Sequence, residues 1–453
     1  MLSRLDVSGP RYTSYPTADR FVEAFGPDQY ATALSQRASA VGGAVMPLSV
    51  YVHIPFCESV CYYCACNKVI TKHHERAAEY LDALQREIDL HVSALGRGQS
   101  LSQLHFGGGS PTFLTDDELE RVLGMLQSAF RFAPGGEYSI EIDPRTIDVE
   151  RLKRLAAMGF NRLSFGVQDF DPHVQQAVHR VQPYDQVAGL MAAARAEGFD
   201  SINTDLIYGL PRQTLASFRR TLEQVISLRP ERVALYAYAH LPQRFKPQRR
   251  IDAALLPAPT DKIGMLAMAI EVFRDAGYEY IGMDHFALPT DSLAVAKRQG
   301  LLHRNFQGYS TYPDSDLIGL GVSAIGRVGA HYSQNAKTLE EYYDALSRSE
   351  FPIVRGLTLS HDDILRRAVI MAIMCQGRVD FESIDLAYLI DFKQYFASEL
   401  RQLEPLVELG LVQMESDGVR VTPLGWYFVR AIAMVFDRHL QADKTVERFS
   451  RII

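Results

Sequence analysis

Six short runs rich in β-branched and aromatic residues, at 48–53, 101–106, 138–142, 162–167, 202–207 and 232–238, alternate along the chain with amphipathic stretches. Between the first two runs Leu81, Leu84, Ile88, Val92 and Leu95 recur at helical spacing, and comparable helices fit 118–130, 149–158, 184–195 and 215–227. Such a series of βα units predicts a parallel sheet with right-handed crossovers, either doubly wound or curved into a barrel. The unusual residues favour the barrel. At or just past successive strand ends come Cys57, Gly107-Gly108-Gly109, Glu141-Ile142-Asp143-Pro144, Gln168-Asp169, Asp205 and Ala239-His240. A barrel brings the C-terminal ends of its strands to one mouth, where these separated residues would meet. The expected fold is therefore α/β, a partial (β/α)6-type barrel with an N-terminal arm and a mainly helical, winged-helix-like C-terminal domain.

The flanking segments read differently. Residues 1–45 carry turn formers and aromatics, with Tyr12, Tyr15 and Phe21 as buriable groups, but no sustained period, and read as an ordered arm or lid. The barrel and its extension occupy 46–356, including a helix at 262–275 and a glycine-rich region whose glycines serve either close backbone approach to a ligand or ordinary loop geometry. From 357 to 453 helices fit 364–375, 391–403 and 423–436, and Leu409 to Met414 followed by Val419-Arg420-Val421 has the helix-and-wing order of a winged-helix module. That domain is expected to cap the barrel mouth. Cys375 lies on an apolar stretch and reads as a buried structural thiol, the helical methionines as core, and His73-His74 as surface.

Four of the five cysteines fall within ten residues, Cys57-x3-Cys61-x2-Cys64-x-Cys66. In an intracellular chain such crowding favours soft-metal or redox chemistry over a disulfide framework. Structural zinc sites usually draw two ligand pairs from separated knuckles, whereas three thiolates of one loop can hold three irons of a 4Fe–4S cube and leave the fourth open. The net charge of −7 gives no global pull toward nucleic acid or anionic lipid. There is no secretory leader and no run long enough to span a bilayer, so a cytoplasmic protein is expected. Asp205 closes a largely apolar strand and needs a partner to stay ionised; a ribose hydroxyl or Arg180 could supply it. Glu141 and Gln168 are similarly placed, each serving equally well as a cap or a scaffold hydrogen bond.

Cys57-x3-Cys61-x2-Cys64, with an aromatic Tyr63 before the third cysteine, resembles the signature of the radical S-adenosylmethionine superfamily. The resemblance narrows to the oxygen-independent coproporphyrinogen III oxidases on four stretches: Arg11 to Thr17, Tyr51-Val52-His53-Ile54-Pro55-Phe56-Cys57, Cys66-Asn67-Lys68 and Asn305-Phe306-Gln307-Gly308-Tyr309. It implies that Cys57, Cys61 and Cys64 ligate a 4Fe–4S cluster whose open iron takes S-adenosylmethionine. It further implies that Tyr51, Phe56, Tyr63, Gly108, Gly109, Ser110, Glu141, Gln168, Arg180 and Asp205 line that cofactor. Cys66, Ala239, Phe306 and Ile325 match positions near a second S-adenosylmethionine, so Cys66 would not be a ligand, and Tyr51, Glu141 and Cys66 are the catalytic candidates. Ser110, Ala65 and Tyr63 depart from the residues more frequent in the family and bear on fine tuning.

The implied reaction is the oxidative decarboxylation of two propionates of coproporphyrinogen III to vinyls by a 5′-deoxyadenosyl radical. A flavodoxin or ferredoxin-type protein would be the electron donor, and the chain is expected to be a monomer with no nucleic-acid or membrane partner. Arg244, Lys246, Arg249 and Arg250 follow the sixth strand, either as propionate anchors or as a solvated loop. The alternative function is a haem chaperone on the same scaffold, whose members usually lack the arm and the fourth cysteine.

Overall fold

The structure, a computed structural model, describes residues 9–39, 46–312 and 315–442. The chain forms two compact units: one gathers 21–276 with 315–358, the other gathers the described parts of 1–20, 277–314 and 359–453. The arm read from the sequence is thus shared between the units, and 277–314 groups with the C-terminal residues.

In the larger unit the six strands are β1 (Leu48–Ile54), β2 (Gln99–Gly108), β3 (Phe130–Ile142), β4 (Arg162–Gln168), β5 (Ser201–Tyr208) and β6 (Arg232–Ala237). They lie side by side in chain order and pair in parallel throughout. β7 (Leu317–Leu320) adds a parallel strand on the other edge of β1, and β8 (Ile325–Val328), β9 (His331–Asn335) and β10 (Ile353–Thr358) continue as an antiparallel meander. Strand alternation divides the two faces: Val50, Val52 and Ile54 are fully buried, while Tyr51 and His53 point the other way.

The connecting helices stand where the apolar period placed them: α2 (Arg76–Leu95), α3 (Asp116–Ala129), α4 (Val149–Ala157), α5 (Tyr184–Ala196) and α6 (Leu215–Leu228). Their starts are chemically marked. Thr115 with Glu118 forms a capping box on α3, and Asp148 accepts from the amide of Arg151 on α4. Several helices escaped the sequence reading, among them Pro172–Ala177, Leu339–Ser347 and one in the arm, all in this unit. Residues Pro27–Ala38 form α1, with Pro27 opening the helix and Gln29 bonding back to the Gly26 amide. Its buried face is only Tyr30, Ala33 and Leu34, too short to register as a period.

Inside this unit α2 carries a buried carboxyl, Glu87, fully enclosed. It accepts from Tyr342 Oη at 2.6 Å, Asn335 Nδ2 at 2.6 Å and the Gly321 amide at 2.7 Å. About two turns away Tyr80 donates to the carbonyl of His53 at 2.5 Å and accepts from the Val322 amide at 3.1 Å. The helix therefore ties the end of β1 to the β7–β8 loop.

The smaller unit is built on the helix His361–Gln376, whose Leu365, Val369, Ile370, Ile373 and Met374 are buried together with Cys375. Strands Arg378–Asp380, Gly418–Val421 and Val412–Met414 form its antiparallel wing. Two expected helices are interrupted. The stretch 391–403 becomes Phe392–Tyr395 and Ala397–Glu408, and 423–436 becomes a 3-10 turn, Gly425–Phe428, before Val429–Met434. Tyr12 and Tyr15 are fully buried here, with Tyr12 donating to Asp437 at 2.9 Å. No helix among the described residues is long and apolar enough to cross a membrane.

Candidate active site

Strand register assembles the floor of the site. Tyr51 stands opposite His105, His105 opposite Ser139, and Glu141 opposite Ser164, which in turn stands opposite Asn203. Directly opposed residues share a face, so these polar side chains meet inside the sheet's curve. The Tyr51 ring stacks on His105 with centroids 5.9 Å apart, and its hydroxyl lies 3.0 Å from His53 Nδ1. Glu141 takes His105 Nε2 at 3.3 Å and the Gly108 amide at 3.3 Å. Burial works to raise the Glu141 carboxyl, but the His105 contacts and the Gly108 amide hold it below the ordinary value.

Asp205 accepts from Ser164 Oγ at 3.0 Å and Asn203 Nδ2 at 2.9 Å. Burial, with the Glu141 charge adding to it, pushes its carboxyl up to about 6. Arg180 is not its partner, contrary to one of the two pairings expected from sequence. The guanidinium lies instead on Asp143, at 3.1 Å, and on the carbonyl of Gly166, at 2.7 Å. Gln168 sits at a register shift at the end of β4 with φ 68, a backbone state that non-glycine residues adopt sparingly.

The cysteine loop leaves β1 and crosses this floor. A cavity of about 270 Å³ is lined by Cys57, Cys61, Cys64 and Cys66 together with Tyr63, Gly108, Gly109, Ser110, Glu141, Gln168, Arg180 and Asp205. Arg145 Nη2 and Arg180 Nη1 each lie 3.5 Å from the Cys61 sulfur. Asp143 anchors both guanidiniums, bonding Arg145 at 2.7 Å. Burial opposes ionisation of Asp143, yet the two arginines hold it below the carboxylate range. Cys64 and Cys66 interact directly, and that hydrogen bond pulls the Cys64 thiol down and pushes Cys66 up. Lys68 Nζ caps the same turn, donating to the carbonyls of Cys64 at 3.2 Å and Cys66 at 3.3 Å.

The cradle is backbone on its far side. Gly108 has φ 116, and a Cβ there would stand 2.6 Å from the His53 ring; at Gly109 it would stand 2.7 Å from the carbonyl oxygens of Pro55 and Phe56. These residues fit a thiolate-held iron–sulfur cluster and a polar cofactor beside it. The sulfurs are soft donors from one turn, two guanidiniums offset their charge, and main-chain groups stand open above Glu141. Among the described residues no three His, Cys, Asp or Glu side chains are drawn into a preformed metal geometry.

Not every expected residue lines the cavity. Phe56 is buried beneath it against Phe113 and Tyr80, and Tyr51 forms the floor through His53 and His105. Ala239 follows β6, Ile325 opens β8, and Phe306 sits in the smaller unit between strands His303–Asn305 and Gly308–Ser310. Sequence reasoning missed His53, His105, Asp143 and Arg145 as site residues. His105 and Gly107 alternate on one face of β2, and Asp143-Pro144-Arg145 follows Glu141 at the same strand end, so both signals were present.

Comparison with known proteins covers the whole chain. Residues 51–225 match the radical SAM superfamily and residues 359–428 the HemN C-terminal domain. An oxygen-independent coproporphyrinogen III oxidase of Pseudomonas aeruginosa is 49% identical over 100% of this chain and 98% of its own length. The protein of that name in Escherichia coli is 46% identical over 100% and 98%, respectively. The solved structure of Escherichia coli coproporphyrinogen III oxidase, described as a radical SAM enzyme, superposes with a TM-score of 0.91 at 46% identity, covering 95% of this chain and 98% of that one.

Proposed function

Because the chain belongs to the oxygen-independent coproporphyrinogen III oxidases, a family of radical SAM enzymes, we propose that it converts two propionates of coproporphyrinogen III to vinyls, giving protoporphyrinogen IX in porphyrin biosynthesis. Each propionate gives up one hydrogen atom from its β-carbon, one electron and carbon dioxide. The observation that carries this reading is the one cavity that gathers four cysteines, the glycine cradle and the carboxylates of two strand ends.

Cys57, Cys61 and Cys64 would hold the 4Fe–4S cluster. When bound and reduced, the cluster supplies the electron that cleaves S-adenosylmethionine to a 5′-deoxyadenosyl radical. The remaining work belongs to the chain. Arg145 and Arg180 offset thiolate charge at Cys61, and Asp143 fixes their direction. Gly108, Gly109 and Ser110 leave main-chain groups open to a polar ligand, and Glu141 would accept from an amino group there. Gln168 and Asp205 face the same cavity, Asp205 as an acceptor for ribose hydroxyls. Tyr51 and Phe56 wall the site from below, and Tyr63 lines it from the loop.

Cys66, with Ala239 and Ile325, is assigned to a second S-adenosylmethionine. Its place outside the ligand set is what the match of Cys57-x3-Cys61-x2-Cys64 to the radical S-adenosylmethionine signature implies. A cytoplasmic flavodoxin or ferredoxin-type protein would supply the electron, and the enzyme would act as a monomer. The test is an anaerobic assay on coproporphyrinogen III with a chemical reductant, following porphyrinogen product and 5′-deoxyadenosine together. Protoporphyrinogen IX is expected; robust S-adenosylmethionine cleavage with no vinyl product overturns the substrate assignment.

A further inference from the structure

We propose that Lys337 and Arg355 form a carboxylate-binding subsite on the Cys66 side of the barrel, which takes a propionate of the substrate and sets specificity for it. The proposal rests on the function proposed above.

Two independent placements bring these cations to one region. Ile325 on β8 stands opposite Gln334 on β9, and Gln334 opposite Arg355 on β10, so the three side chains share a face in one row. Arg355 Nε donates to Gln334 Oε1 at 2.7 Å, and its guanidinium lies 5.9 Å from the Phe21 ring centroid, so the head is fixed in place. Lys337 follows β9 directly. Its carbonyl accepts from Asn67 Nδ2 at 2.9 Å, which puts the lysine beside the Cys66-Asn67-Lys68 turn. Arg244 comes from the loop after β6.

The electrostatics are one-sided. Partial burial works to lower the Lys337 ammonium, and the two charges that also bear on it, Arg355 and Arg244, are both positive and push the same way. Among the described residues neither Lys337 nor Arg355 has a carboxylate within ion-pair distance. Lys337 and Arg355 repel each other in the folded chain, and a carboxylate bound between them would offset that repulsion. A guanidinium fixed by a side-chain amide and an aromatic ring presents its remaining donors in the fork that suits a carboxylate.

The rest of the basic loop is engaged elsewhere. Arg250 lies over Tyr62 at 5.3 Å, and Arg249 donates to the carbonyl of Pro242 at 3.0 Å. The two cations of the subsite come instead from β10 and from the residues that follow β9, its neighbour in the sheet.

The experiment compares Lys337→Gln, Arg355→Gln and Lys337→Arg in the reconstituted enzyme. Each Gln variant should raise KM for coproporphyrinogen III about tenfold or more, the loss of one charge-assisted contact, with kcat changed little. Lys337→Arg should restore KM, and iron content should match the parent in all three. Binding of coproporphyrin III, a stable tetracarboxylate, should weaken in parallel, while its tetramethyl ester should bind parent and variants alike. Unchanged KM and coproporphyrin affinity in both Gln variants overturns the subsite. A parent enzyme that makes no protoporphyrinogen IX overturns the function instead, and the coproporphyrin affinities still decide the subsite.

Discussion

Replacing Glu87 by Gln should change how stability depends on pH, not simply lower it. The carboxyl is fully enclosed and accepts three hydrogen bonds, from a tyrosine, an asparagine and a backbone amide, with no cation among these donors. Burial pushes it up from 4.5 to about 7, against those three hydrogen bonds. A carboxyl whose folded value is raised binds its proton more tightly in the native state. Its contribution is fully present below about pH 4.5 and is lost as pH rises through about 7. At about 1.4 kcal/mol per unit the loss is about 3 kcal/mol. A glutamine has no proton to lose. It does turn an NH2 toward Asn335, whose own Nδ2 is committed to the Gly321 carbonyl at 2.8 Å, and this donor clash costs about 1–3 kcal/mol.

Glu87→Gln should therefore be less stable than the parent near pH 5, and the gap should narrow or reverse by about pH 8. Urea unfolding followed by circular dichroism at a series of pH values measures the difference, in which every other titrating group cancels. A gap that stays constant across this range would refute the reasoning, because it would mean that Glu87 titrates alike in the folded and unfolded chain.

Cys66→Ser should retain cluster iron after reconstitution yet impair turnover, whereas Cys57→Ser should lose iron; equal losses would make Cys66 a ligand. Gly109→Ala forces a Cβ against two main-chain oxygens that cannot swing away, so about 1–3 kcal/mol of strain should fall on Pro55-Phe56 and lower iron per chain. Arg366→Met strands Glu399, which is 9% exposed and pairs with Arg366 at 2.8 Å, and should destabilise the smaller unit by about 3–5 kcal/mol. The chain's single tryptophan, Trp426, lies in that unit and donates to the Ile281 carbonyl at 3.0 Å, so its fluorescence reports that transition directly.

The six parallel strands and the long helices between them were legible because each carries its own period. Apart from β3, which begins at Phe130 and not at 138, their ends fall within a few residues of those expected, whereas the meander of β8, β9 and β10 was not legible. Nor was α1, since three buried side chains in twelve residues make no stripe and only its Gly26-Pro27 start marked it. The site divides in the same way. Residues that occupy strand ends could be read from the order of the chain, as Gly108, Glu141, Gln168 and Asp205 were. Which of them pair could not, because pairing follows register. Arg180 and Asp205 both face the cavity, yet Arg180 is drawn to Asp143, 37 positions away, and Asp205 is satisfied by Ser164 from the neighbouring strand. Opposite charge in a common region is a weaker guide than the row in which a side chain stands.

The cysteine loop shows why that register matters for chemistry. A ten-residue turn holding four thiols has little core of its own, and it is positioned from outside at several points. Tyr80 on α2 bonds the His53 carbonyl just before it, and Gln248 donates to the carbonyl of Tyr63 within it at 3.0 Å. The Tyr62 amide reaches the Val178 carbonyl at 3.0 Å, and the Tyr62 ring stacks on His179 at 5.1 Å. These supports come from helix, strand end and loop that the parallel winding brings to one mouth. A thiolate set held this way keeps its sulfurs at the cavity while Asn67, the next residue out, leans on Lys337. The loop that would carry iron is thus also the strut that fixes one of the cations assigned to substrate. Substitutions at Asn67 should accordingly weaken coproporphyrin III binding before they reduce iron content, and the reverse order would show the two roles to be uncoupled.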